Sequence, residues 1–499
     1  MIDWITNVNS TLNGIVWGWP ALILLGFVGV LMTLLTKFFQ LSHFRYWMKH
    51  TIGAIFGEAH VTAHTQDKTI SQFQSLCTAL AATVGTGNIV GVAGAIAVGG
   101  PGAVFWMWLI AFFGMMTNYS ENVLGILYRR KNSEGEWCGG AMYYLRDGLG
   151  GKKGLKWAGV ILAVLFSCFC LLASFGIGNM SQVNSMVENV NHAFGIPNVV
   201  TGIFLFIAVA LVIIGGLKRI AAFTEKLVPF MVILYLIGTI TIIIMHIGQI
   251  PAVFVAIFKG AFAMKSAAGG IVGSGIALAM QMGMKRGVFS NEAGLGSSVM
   301  VHSSSNVHEP VRQGIWGIFE VFADTIVVCT LTALTLLSCG AVDLTTGQLT
   351  EAGAAVGSSS LMSYAFEQSF GKLGAIFIAM AILLFAYSTV LGWSHYGSKA
   401  CEYLFGTKSI VFYRIVFSAI VFTGSLMKAQ LAWDISDTFN GMMMIPNLIG
   451  VLVLSPQVMV CTKNYVDRKI KGKTNVEPML SMFPDIQKAE ESAVLQGED

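Results

Sequence analysis

The chain has 499 residues, of which 55% are hydrophobic and 11% charged, with a net charge of +4 and a mean hydropathy of +0.70. That composition excludes a soluble globular protein and gives no reason to expect a nucleic-acid partner. Repeated apolar runs of about 20 residues point to an all-α membrane protein rather than to a β-barrel, whose strands are shorter and alternate.

The first run, 17–39, is too long for a signal-peptide core and lacks a charged leader, so it reads as a retained helix. Residues 38–70 mix aromatic and basic side chains (Phe44, Arg45, Tyr46, Trp47, Lys49) and are expected to lie along the inner membrane surface. Further spans are expected at 72–98, 101–127, 156–183, 198–217, 227–248, 262–284, 312–339, 372–398, 409–427 and 430–461, about eleven in all. The last contains Asp434, Asp437, Asn440, Pro446 and Pro456 and is expected as one helix or two. Residues beyond 463 read as a polar, mobile tail.

No Lys or Arg precedes Lys37, which places the N-terminus outside. Alternation from there leaves only Lys259, Lys265, Lys372 and Lys428 outside and puts 26 of the 30 basic residues inside, among them Arg129, Arg130, Lys131, Lys152, Lys153, Lys285 and Arg286. The C-terminus is then cytoplasmic, in the plasma (inner) membrane. With the first helix set aside, two sets of five helices of opposite topology remain. The expected organisation is 1–71 (outer N-terminus, first helix, inner surface segment), 72–248 (first repeat), 249–461 (second, inverted repeat) and 462–499 (tail).

Each half opens on a glycine-broken helix: Thr83-Val84-Gly85-Thr86-Gly87-Asn88 in the first and Gly269-Gly270-Ile271-Val272-Gly273-Ser274-Gly275 in the second. Lipid tolerates broken backbone only inside protein or beside a water-filled cavity. Paired breaks in inverted halves mark the binding site of a secondary transporter. Unwound amides and a half-helix N-terminus suit a carboxylate, and freed carbonyls suit an ammonium group or a cation. Helix packing through small residues is the simpler use of these glycines, but it requires no cluster of Thr and Asn side chains among them.

Other polar residues invite a structural reading first. Asp324 lies deep in a span with Glu320 four residues before it, as a proton relay, a gate or a buried strut. Glu121, Asp434 and Asp437 pose the same choice. His302 and His308 fall in a polar stretch, 301–310, read as a solvated loop; His395 is read as an interior histidine and Trp393 as a pocket wall or a packing residue. The eight cysteines have no metal-binding spacing and are read as reduced packing residues.

Gly99-Gly100-Pro101-Gly102-Ala103-Val104-Phe105-Trp106-Met107-Trp108 and Lys285-Arg286-Gly287-Val288-Phe289-Ser290-Asn291-Glu292-Ala293-Gly294-Leu295-Gly296 resemble the two signature blocks of the alanine or glycine:cation symporter family. The resemblance implies a LeuT-type fold, five plus five inverted helices with one extra helix in front, and import of alanine or glycine with sodium. It also implies site residues. Thr83, Gly85, Thr86, Gly87 and Asn88 would form the first unwound segment, with amides near Thr86 and Gly87 on the substrate carboxylate. Gly273, Ser274 and Gly275 would offer carbonyls to the ammonium group, and Gln182 would touch the substrate; Trp393 joins them as a substrate contact if it is a pocket wall. The hydroxyls of Ser388 and Thr389 with the carbonyls of Ala81, Val84 and Phe385 would hold sodium.

The expected function is therefore sodium-coupled symport of small neutral amino acids, with no organic cofactor, the lipid bilayer as surroundings and a monomer sufficing. Proton coupling through Asp324 and a small-solute channel are the alternatives. An enzyme is not expected, because the spans hold no nucleophile–base or metal constellation.

Overall fold

The computed structural model describes residues 2–64, 68–262, 274–358, 360–427 and 429–495. Among them, seven helices are long and apolar enough to cross a membrane. An eighth span is a bent pair, Gln72–Thr83 and Gly87–Gly99, whose axes meet at 48°. Shorter apolar helices, Asn198–Ile213 and Ser409–Gly424, occupy two more of the expected positions.

The last expected span is one helix, Ala429–Tyr465, with Pro446 and Pro456 inside it. The helix Gln72–Thr83 starts on a reciprocal cap: Ser71 Oγ accepts from Gln74 N (3.1 Å) and Gln74 Oε1 accepts from Ser71 N (3.2 Å). The aromatic–basic stretch forms four short helices between Phe39 and Thr62, and Trp47 is buried, 1% exposed, edge-on to Phe322. It is therefore anchored to the helix bundle through that ring.

Three expectations need correction. Lys285 and Arg286 do not follow a span; they sit within the helix Ser274–Asn291 and both pair with Asp437 (2.7 and 3.0 Å). Lys285 also donates to Asn13 Oδ1 (3.1 Å), so the two cations lie at the end of the bundle that holds the N-terminal helix. A buried carboxylate, not the polar side of a membrane, neutralises them.

The stretch after Val301 is not a solvated loop. His302 is fully buried; its Nε2 faces Glu320 Oε2 (3.1 Å) and its Nδ1 faces Gln313 and Ser75. The tail, finally, is docked through its helix Pro484–Leu495. Met482 N donates to Leu127 O (2.9 Å), Arg468 grips Glu309 with two bonds (2.7 and 2.8 Å), and Glu490 meets His308 (2.5 Å) and Arg129 (3.5 Å). Arg129 also donates to the carbonyls of Ser305 and Val307, which makes it the pin of this end.

Candidate functional site

The first break lies where expected, and its backbone is satisfied by side chains. Val84 ends the helix with φ −78 and ψ 87. The next two amides leave the helical ladder: Gly85 N donates to Asn88 Oδ1 (2.9 Å) and Thr86 N to Gln182 Oε1 (3.2 Å). In an unbroken helix those amides would close on the carbonyls of Ala81 and Ala82. Gln182 Oε1 also accepts from Thr86 Oγ1 (2.8 Å), while its Nε2 donates to Ile177 O (2.9 Å). One amide oxygen thus holds both donors of Thr86.

The helix Lys372–Phe405 presses directly on this break. A Cβ at Gly85 would stand 2.3 Å from Thr389 Oγ1, and a Cβ at Gly392 would stand 2.7 Å from Ala82 Cβ. The backbones approach this closely only because both positions are glycine. Ser388 Oγ and Thr389 Oγ1 both donate to Phe385 O (2.8 and 3.1 Å). The Thr389 hydroxyl therefore lies against the break at Gly85, while the Ser388 hydroxyl also reaches Met231 Sδ (3.4 Å). The donor set around that contact is neutral oxygen.

The expected second break is only partly describable. Gly269 to Gly273 lie outside the described residues. Ser274 and Gly275 begin the helix Ser274–Asn291, and Gly275 lines a cavity with Gly99, Gly100 and Pro101, at the far end of the bent pair from Gly85. What faces the first break is the last turn of the helix Ser274–Asn291, just before another interruption at 292–298. A Cβ at Gly87 would meet Phe289 Cδ1 and Ser290 Cα at 3.3 Å. After Asn291 the chain turns through left-handed backbone at Glu292 (φ 57), Gly294 (φ 95) and Gly296 (φ 72) before Val299–His302 resumes as helix.

This second interruption caps itself. Asn291 Oδ1 accepts from Ala293 N (3.0 Å), and Ser297 Oγ donates to Glu292 Oε2 (2.5 Å). Trp393 Nε1 donates to Glu292 Oε1 (2.7 Å), which fixes the buried indole between the break and Gly178. Asn447 Nδ2 reaches both Gly294 O (2.9 Å) and Glu121 Oε1 (2.5 Å), so Glu121 acts as a strut behind the break.

Asp324 ties the two interruptions together. Its Oδ1 accepts from Asn88 Nδ2 (2.6 Å); its Oδ2 accepts from Ser290 Oγ (2.8 Å) and Thr325 Oγ1 (2.7 Å). Glu320 faces elsewhere, toward His302 and Asn118 (3.2 Å). Three π-helical turns converge here: Gly87–Gly91, Gly176–Met180 beside Gln182, and Phe322–Cys329 around Asp324. A π turn is costly within a helix and clusters at functional sites.

A lid covers Gly87 from the side of the N-terminal helix. Phe289 stacks on Trp433 (5.1 Å), and Arg286 lies over both rings while pairing with Asp437. The sequence reading gives Phe289, Trp433 and Glu292 no role of their own, weighs Asp437 as a strut or gate and counts Arg286 only among the inner charges. A buried acid between Asn291 and two glycines was the available signal.

The Sodium:alanine symporter family model matches residues 2–479. The chain belongs to that family. It is 44% identical over 479 residues to the sodium/alanine symporter AgcS of Methanococcus maripaludis, covering 95% of this chain and all of that one. It is 36% identical to the probable sodium/glutamine symporter GlnT of Bacillus subtilis, covering 94% and 92% of the two chains. Among solved structures, MhsT in complex with L-phenylalanine superposes with a TM-score of 0.53 at 12% identity, over 80% of this chain and 99% of that one. The protein is thus a multi-pass membrane transporter of LeuT-type fold.

Proposed function

We propose that the protein imports small neutral amino acids, alanine and glycine, together with sodium by alternating access. The observation that carries this reading is the Thr86 pair of donors held by one amide oxygen of Gln182. A substrate carboxylate presents the same acceptor to the same donors and replaces Gln182 there. The left-handed turn at Glu292 and the freed carbonyls beside it and at Thr83 would face the ammonium group.

The neutral oxygens of Ala81, Val84, Phe385, Ser388 and Thr389 suit a monovalent hard cation. Sodium there would join the first break to the helix Lys372–Phe405, so that an ion-loaded site costs less to close. A zwitterion moves no net charge, so the coupled ion carries one charge inward. A potential near 100 mV supplies roughly 2.3 kcal/mol for it. A tenfold sodium gradient adds about 1.4 kcal/mol. Together they support accumulation on the order of several hundredfold.

In this reading Phe289, Trp433 and the Arg286–Asp437 pair form the outer gate. His302–Glu320 and the Arg129 pin close the inner side. The N-terminus is outside, because the remaining basic clusters stay on the opposite side. One observation favours a second reading: Asp324 is a buried carboxylate a single side chain, Asn88, away from the break. Proton coupling would run through it.

The test is uptake of labelled alanine into proteoliposomes with an inward sodium gradient, repeated with potassium in its place. Sodium-dependent accumulation competed by glycine supports the symporter reading. Equal uptake in both salts overturns sodium coupling and favours Asp324. Competition by glutamine but not by alanine moves the substrate.

A further inference from the structure

Glu320, in the helix Pro310–Val321, is a fully buried carboxylate whose only ion-pair partner among the described residues is His302. That partner brings no charge. Gln313 Oε1 is taken by Ser305 Oγ (3.0 Å), so Gln313 Nε2 donates to His302 Nδ1. His302 Nε2 then carries the ring's proton and donates it to Glu320 Oε2 (3.1 Å). Asn118 Nδ2 donates to the same oxygen (3.2 Å). Two donors on one oxygen are the surroundings of an ionised carboxylate. The groups near enough to act on its charge, Glu121, Glu292 and Asp324, are buried acids as well, so none of them neutralises it. A carboxylate held this way inside a membrane protein calls for a cation.

The oxygens that would meet a cation are in place. Glu320 Oε1 and Asn122 Oδ1 are both buried without a hydrogen-bond partner. A relay sets their orientation: Asn122 Nδ2 donates to Asn118 Oδ1 (2.9 Å), and Asn118 Nδ2 donates to Glu320, which leaves Asn122 Oδ1 as a spare acceptor. Gly317 brings the two residues together. A Cβ there would stand 2.5 Å from Asn122 Nδ2 and 2.7 Å from Asn118 Oδ1. Glu320, three residues on, leans back over that same turn. Ser298 Oγ is a third buried oxygen without a partner. It belongs to the interruption that passes this stretch of the helix Gly102–Leu127, where Ala293 lies against Gly114 and Val299 against Gly125. One carboxylate, one amide oxygen and one hydroxyl make a hard donor set with a single negative charge.

We propose that Glu320 Oε1, Asn122 Oδ1 and Ser298 Oγ hold a second sodium ion, coupled to transport beside the one at Thr389. The proposal rests on the sodium-symport reading and adds an ion to it. The ion joins Gly102–Leu127 to Pro310–Val321 and to the turn ahead of Val299–His302. With two ions per zwitterion, two charges move inward and the driving free energy doubles. A proton on Glu320 Oε1, shared with Asn122 Oδ1, is the competing occupant.

The experiment is equilibrium binding of radioactive sodium to the purified full-length protein, paired with sodium and alanine fluxes in proteoliposomes. The parent is expected to bind about two sodium ions and to carry about two per alanine. Glu320→Gln and Asn122→Ala should each fall to about one, with the Hill slope for sodium dropping from near two to near one. Asn122→Ala keeps the carboxylate, and its binding count decides the matter if Glu320→Gln does not fold. One bound sodium in the parent, or two in both variants, overturns the site. One sodium but two charges per alanine, with the second charge lost in Glu320→Gln, gives the place to a proton and overturns sodium as its occupant. A parent that binds two ions, one of them lost in each variant, but takes up alanine equally without sodium supports the site and overturns the symport reading instead.

Discussion

At the break after Thr83 one of the two freed amides, that of Thr86, is capped from a distant helix, whereas at the break after Asn291 the freed amide of Ala293 and the Glu292 carboxylate find partners in their own turn, with Trp393 and Asn447 bracing it from outside. Gly85 and Thr86 are held by Asn88 and by Gln182, 96 residues away. Glu292 and Ala293 are held by Ser297 and Asn291 from the same turn. A break capped from outside responds when a neighbouring helix moves or a ligand replaces the cap; a self-capped turn keeps its shape. On this view the first interruption is the moving, ligand-gated half of the site and the second is its fixed wall.

The sharpest way to break the comparison is to crowd each turn. Gly85→Val places branched carbon on Thr389, where even a Cβ would be 2.3 Å from Oγ1. Uptake should fall by more than about a hundredfold with the protein still inserted, since backbone contact is lost across the site. Gly294→Ala meets Leu25 Cδ1 at 2.8 Å and must hold φ 95. It should cost about 1–2 kcal/mol of stability, read as a lower melting temperature, with less effect on apparent substrate affinity. The reverse pattern would remove the moving-and-fixed distinction.

Next in size, Gln182→Ala should raise the substrate concentration for half-maximal uptake about tenfold, because Thr86 loses its cap and the closing break loses its guide. Unchanged affinity would show that the Thr86 donors do not meet the substrate. Ser388→Ala and Thr389→Ala should each raise the sodium concentration for half-maximal uptake several-fold, about 1 kcal/mol per lost ligand, with the alanine affinity at saturating sodium little changed. Identical sodium dependence in both variants would remove the ion site. Asp324→Asn keeps the acceptor for Asn88 and removes the titratable group. Sodium-driven uptake should persist with a modest loss, and abolition of uptake together with loss of its pH dependence would instead assign the coupling to a proton.

The first interruption was legible in the sequence. Hydropathy marked the long apolar spans, and Thr83–Asn88 announced itself because glycine, threonine and asparagine have no reason to cluster in a lipid-facing helix. The second interruption was harder for a physical reason. Gly269–Gly275 has more glycine, yet Gly275 is found with Pro101 at the far end of the bent pair, while 292–298 needs only two glycines because Glu292 itself adopts left-handed backbone. Sequence patterns weigh glycine for φ > 0 and overlook an acidic residue that a tryptophan and a serine hold there. The Lys285–Arg286 pair misled in the same way. Two adjacent cations look like the end of a span until Asp437, 151 residues from Arg286, is brought to meet them.

The smallest expected effect concerns the docked tail, which grips the stretch following the second interruption. Although burial alone would raise the Glu490 carboxyl, its bond to His308 and the charge of Arg129 hold it below the usual carboxylate range. A depressed folded-state value means that docking is favoured above the ordinary carboxylate pKa and is lost as pH falls through the lower, docked value. Hydrogen exchange over 484–495 should therefore be slow at neutral pH and faster in acid, and Glu490→Gln should be fast throughout while sodium-driven uptake changes less than about twofold. If the same variant instead shifts the sodium dependence, the stretch after Val301 is a moving part, and the second interruption is not the fixed wall that its self-capping suggests.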